Sequence, residues 1–118
     1  MADPADDASA GSFVMVLVRD LMFSGRIGAT ARAIGAPVTL LRDPAALSGR
    51  SAHRLIVDLN QPGALEAAVA WRQAGGGEVV GFVSHVDADT IARARAGGID
   101  RVLSRSQFVN LLPELLRA

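Results

Sequence analysis

Short, unbroken apolar runs alternate along this chain with stretches whose apolar residues recur every third or fourth position. Phe13 to Val18 is a run rich in β-branched residues, which suits a strand buried on both faces of a parallel sheet. After Arg19 and Asp20 the period changes. Ile27, Ala31 and Ile34 then share one face of a helix that stops near Gly35. Pro37 to Leu41 predicts a short second strand, with proline at the start, where no ladder donor is lost. Asp43-Pro44 reads as an N-cap followed by a first-turn proline, opening a short helix that ends before Gly49. Leu55 to Val57 is the third strand, with Asp58 at its C-terminal end, and a helix over Leu65 to Ala74 is closed by Gly75-Gly76-Gly77. Val79 to Val83 is the fourth strand. Asp87 or Asp89 caps the next helix, which carries Ile91, Ala92 and Ala94 to Gly97. Val102 and Leu103 form the fifth strand. Ser106 caps a last helix with an apolar stripe of Phe108, Leu111, Leu112, Leu115 and Leu116, which Pro113 should kink by removing one donor.

Five strands alternating with five helices predict an α/β fold in which a parallel sheet is covered on both faces and joined by right-handed crossovers. In such sheets ligands gather at the carboxyl ends of the strands, where strand order reverses. The residues leaving those ends are Arg19 and Asp20, Asp58, Ser84 and His85, and Ser104 and Arg105. A carboxylate pair, a hydroxyl and a cation converging there could hold a divalent metal and an oxyanion such as a phosphoryl group.

Leu55-Ile56-Val57-Asp58-Leu59-Asn60-Gln61-Pro62-Gly63 is similar to the receiver-domain segment that holds the phosphoryl-accepting aspartate ahead of a Pro-Gly turn. Ala96-Gly97-Gly98-Ile99-Asp100 is similar to the approach to the family's conserved lysine. From Phe13 to Leu116 the chain resembles the receiver domains of bacterial response regulators. That resemblance implies a flavodoxin-like, doubly wound (βα)5 sheet with strand order 2-1-3-4-5. It implies Asp58 as phosphoryl acceptor, Ser84 as switch hydroxyl, and Asp20, Asp58 and the backbone carbonyl of Asn60 as ligands of Mg²⁺, within two-component or phosphorelay signalling.

Four positions depart from the pattern. Arg19-Asp20 stands where receivers keep two successive acids, and a cation there should weaken Mg²⁺ binding. Arg105 followed by Ser106 stands where receivers keep Lys-Pro, and a planar guanidinium is no neutral substitute for a flexible ammonium. His85 follows Ser84 where a small residue is usual, and Val102 takes the place of the aromatic rotamer switch. Together these changes point to a degenerate, stand-alone pseudo-receiver.

Composition narrows the picture further. The 118 residues fit a single domain over 13–118 behind an acidic, disordered lead over 1–12 that carries Asp3, Asp6 and Asp7. Formal net charge is zero, so no nucleic-acid partner is expected. All twelve basic residues are Arg, which fits a GC-rich bacterial genome, and the absence of Cys fits the cytoplasm. No apolar run approaches the roughly 20 residues that span a bilayer, so no membrane segment is expected.

Each candidate also has a plainer explanation. Asp58 can serve as a turn acid, and Asp20 as a helix N-terminal acid. An Arg19–Asp58 ion pair could replace a metal. His85, Asp87 and Asp89 have a metal-like spacing, yet the acids sit where a helix needs a cap. His53 stands alone, Gly25 and Gly28 lack a full dinucleotide fingerprint, and Trp71 is core by default. No catalytic constellation is recognisable, so an enzyme is not expected. The function read from the sequence is a signalling domain that acts through contacts with an unidentified signalling protein, or with a second copy through the last helix. The alternative is a small anion or nucleotide sensor that uses Arg19, Ser84 and Arg105.

Overall fold

All five apolar runs become strands, and all five point the same way. The computed structural model describes residues 13–85 and 87–117; the lead expected over residues 1–12 lies outside the described residues. In chain order the elements are β1 (Val14–Leu17), α1 (Leu21–Ile34), β2 (Val38–Leu41), a 3-10 turn (Pro44–Leu47), β3 (Arg54–Asp58), α2 (Ala64–Gln73), β4 (Glu78–Val83), α3 (Ala88–Ala96), β5 (Arg101–Ser104) and α4 (Arg105–Leu116). The sheet order is β2-β1-β3-β4-β5, the doubly wound order expected.

Strand alternation divides the core into two layers. Met15, Leu17, Leu55, Val57, Val79 and Val83 face α2 and α3, where they meet Leu65, Ala68, Trp71 and Ala94. Val14, Val16, Ile56, Val80, Phe82 and Leu103 face α1 and α4, where they meet Phe23, Ile27, Phe108 and Leu112. β1, flanked by β2 and β3, is buried at all four positions. Register then sets the edges: Asp58 lies opposite Phe82, and Val83 opposite Ser104, so the polar exits of β3, β4 and β5 emerge side by side.

Two local expectations change. The second helix is a single 3-10 turn of four residues. The Asp43 carboxylate accepts the Ala45 N–H at 3.0 Å and Pro44 fixes the first turn, but Leu47 is the turn's one buried residue, and Gly49 turns the chain away at φ 76°. The short connection leaves a groove of about 500 Å³ beside Leu47, Arg50 and Trp71. The last helix is capped by Ser104, not Ser106: the Ser104 hydroxyl accepts the Gln107 N–H at 3.2 Å, and the Gln107 side chain accepts the Ser104 N–H at 2.9 Å. This capping box lets β5 pass into α4 without a loop, and α4 continues through Pro113 to Leu116.

Candidate functional site

Parallel strands deliver their C-terminal residues to one edge of the sheet, and the loops there are tied by side chains. Asp58 ends β3 half-buried, and its Oδ1 accepts the Asn60 N–H at 3.0 Å. Burial pushes this carboxyl above its ordinary value. The Asn60 N–H, Arg105 and His85 oppose that shift, and the Asp20 charge adds to it. Asp20, Arg105 and His85 are therefore close enough to be felt at Asp58.

Asp20 is the N-cap of α1, with Oδ1 accepting the Phe23 N–H at 3.1 Å. The resemblance implies that Asn60 acts as a ligand through its backbone carbonyl. The structure adds a role for its side chain, whose Oδ1 accepts the N–H groups of Ser84 at 2.7 Å and His85 at 3.1 Å. One amide thus pins the loop after β4 to the loop after β3. Arg105, the first residue of α4, donates from Nη1 to Ser84 Oγ at 3.4 Å, and its guanidinium lies 4.1 Å from the centre of the Phe23 ring. Phe23 escaped the sequence reading; the available signal was an aromatic three residues after the Asp20 cap.

Arg19 is exposed and makes no ion pair with Asp58 among the described residues, so that proposed metal substitute is absent. The described ion pairs, Arg54–Glu78, Arg72–Asp100 and Arg93–Glu66, join other residues. Asp87 is spent on α3: its carboxylate takes the N–H groups of Asp89 and Thr90 and the Thr90 hydroxyl, and that drives its pKa down. His85, Asp87 and Asp89 do not form a metal cluster, and no group of three or more His, Asp or Glu does so among the described residues. The residues that could hold a hard cation are those the resemblance names, Asp20, Asp58 and the Asn60 carbonyl. Each carboxylate has already given Oδ1 to a backbone N–H. The set suits a cation that keeps several of its waters, as Mg²⁺ does.

No protein-family model and no curated protein matches this chain. Solved structures do. The signal receiver domain of an HD domain-containing protein from Pseudomonas fluorescens superposes with a TM-score of 0.73 at 16% identity, over 90% of this chain and 94% of that one. The chemotaxis protein CheY4 of Vibrio cholerae gives 0.72 at 16% identity, over 91% of this chain and 100% of that one. A Burkholderia pseudomallei response regulator, solved with a phosphorylated aspartic acid, a calcium ion and citrate, gives 0.72 at 14% identity, over 89% of this chain; the present chain spans 66% of its length. The class is thereby defined: this is a receiver-like domain in fold, a five-stranded doubly wound α/β sheet of the flavodoxin-like kind. No helix among the described residues is long and apolar enough to cross a membrane.

Proposed function

We propose that this domain is an atypical, pseudo-receiver signalling module that reports the state of its Asp58 edge to a protein partner instead of turning over a substrate. One observation carries the reading: Asp58, Ser84 and Arg105 stand at one edge of a receiver-like sheet, where the Asn60 side chain holds the Ser84 loop and Arg105 reaches Ser84 Oγ. In phosphoryl transfer the free oxygen of Asp58 attacks phosphorus. The bond from phosphorus to the donor's leaving group breaks, that group departs with the electron pair, and an aspartyl phosphate remains. Ser84 and Arg105 donate hydrogen bonds to the transferred oxygens. Asp20, Asp58 and the Asn60 carbonyl would hold Mg²⁺ if it binds, and the ion would supply positive charge toward the transferred oxygens.

The departures at Arg19, His85, Arg105 and Val102 set this site apart from an ordinary receiver and favour output by contact. The face we assign to that output is α4, where Val109 and Leu111 stay half-buried beside the core stripe and could meet a partner or a second copy. Bacterial sources among the structural neighbours and the lack of Cys support a bacterial cytoplasmic setting.

Incubation with acetyl phosphate and Mg²⁺, read by intact mass, tests the acceptor. Little or no added mass is the expected result; one full phosphoryl group that disappears in Asp58→Asn would restore a conventional phosphoryl-accepting receiver and overturn the pseudo-receiver reading. A second reading, a sensor that holds a phosphate-like anion without chemistry, is favoured by the Ser84–Arg105 pair, since Arg105 has no carboxylate partner among the described residues. An unmodified chain whose melting temperature rises with inorganic phosphate would select it.

A further inference from the structure

We infer that Phe23 is a positioning residue that parks Arg105, and that capture of an oxyanion beside Asp58 is registered in the core as the loss of this cation–π stack. The inference rests on the reading that the Asp58 edge takes an oxyanion. The guanidinium has two holds, neither of them ionic: the Phe23 face at 4.1 Å and Ser84 Oγ at 3.4 Å, a distance near the limit of a hydrogen bond. It also lies near enough to Asp58 to stabilise that carboxylate. A phosphoryl dianion offers paired, charge-assisted acceptors, which outcompete an aromatic face at an exposed site.

What Arg105 leaves behind is not an isolated ring. Phe23, 5% exposed, stands edge-on to Phe82 at 5.5 Å and to Phe108 at 5.6 Å, while Phe82 and Phe108 stack at 4.3 Å with their planes 5° apart. The trio joins α1, β4 and α4. Phe82 lies opposite Asp58 in the strand register, and Phe108 is three residues along α4 from Arg105, on the same helix face. Movement of Arg105 therefore begins at the pocket and acts on the first turn of the helix that the proposal uses for output. Val102 leaves β5 without an aromatic to do this, and the Arg105–Phe23 stack supplies the coupling from another element.

Nuclear magnetic resonance on the whole chain tests the idea. In the free protein, the Arg105 Nε–H proton is shifted upfield by the Phe23 ring current, and it returns to an ordinary arginine position on titration with inorganic phosphate or on adding acetyl phosphate with Mg²⁺. In Phe23→Leu, which keeps an apolar side chain, that proton starts at the ordinary position. Freed from the competing ring, Arg105 then binds phosphate about two- to fivefold more tightly, the equivalent of an exposed cation–π contact. A purely structural Phe23 would leave phosphate affinity unchanged or weaker in this variant. An ordinary Arg105 shift in the free wild-type protein overturns the inference without needing a variant, and so does unchanged or weaker phosphate binding in Phe23→Leu. If no resonance responds to either anion, the Asp58 reading itself fails, and this inference with it.

Discussion

Two aspartates at opposite edges of the sheet meet opposite electrostatic fates. Asp100, just before β5 at the edge where strands begin, accepts the Val79 N–H at 2.8 Å and Arg72 Nε at 3.1 Å. Burial would raise its pKa, yet those donors outweigh burial and hold the carboxyl below its usual value. Asp58, at the edge where strands end, has donors too, but there burial wins and the pKa rises. One edge has a satisfied charge that fastens β4 to the approach to β5. The other retains a charge at a cost, which is the pattern expected where a group is kept for chemistry or ligand capture.

The signs follow from linkage. A depressed carboxyl adds stability above the ordinary aspartate range and loses it as pH falls through the folded pKa; this is Asp100. A raised carboxyl imposes no cost below the ordinary range, and its ionisation costs stability as pH rises through the folded pKa; this is Asp58.

The contrast can be broken most forcefully at Asp100. Asp100→Ala leaves the part-buried Val79 N–H and the Arg72 guanidinium unpartnered, and urea unfolding at neutral pH should register a loss of about 1–3 kcal/mol. A negligible loss would make the two edges alike. Asn60→Ala removes the acceptor shared by Ser84 and His85. It should cost about 1 kcal/mol and speed amide exchange at those two residues, leaving exchange in β1 unchanged. The smallest effect has the opposite sign. Asp58→Asn keeps an oxygen for the Asn60 N–H but removes the charge, so the melting temperature should rise slightly at neutral pH, with the gain fading on acidification. A lower melting temperature at neutral pH would show that the Asp58 charge is well compensated, and the comparison would fall.

The sheet was legible because its signals are local and strong. β1 and β4 are apolar over nearly their whole length, and the polar residues that end them must surface together once all strands run parallel. That logic brought Asp20, Asp58, Ser84 and Arg105 to one edge. It failed where local signals compete. Asp43-Pro44 announces a helix start, but one buried leucine cannot sustain a helix. Ser104 and Ser106 are both acceptable caps, and the choice depends on whether Gln107 can fold back. The Asn60 bridge and the Arg105–Phe23 stack join residues 24 or more positions apart, so no spacing rule announces them. Arg19, expected as a pocket cation, is exposed and makes no ion pair with Asp58 among the described residues; nothing in the sequence dictates which way the exit from β1 turns.

Trp71 is the chain's only tryptophan, and there is no tyrosine. It is 6% exposed, and its indole N–H donates to the Arg50 carbonyl at 2.9 Å. Near the C-terminus of α2, it sits by the strand-beginning edge, across the sheet from Asp58. Intrinsic fluorescence excited at the indole band therefore arises from one fluorophore remote from the pocket. Its emission tracks global unfolding, and any change when a small anion is added would reveal a disturbance that has crossed from one side of the sheet to the other.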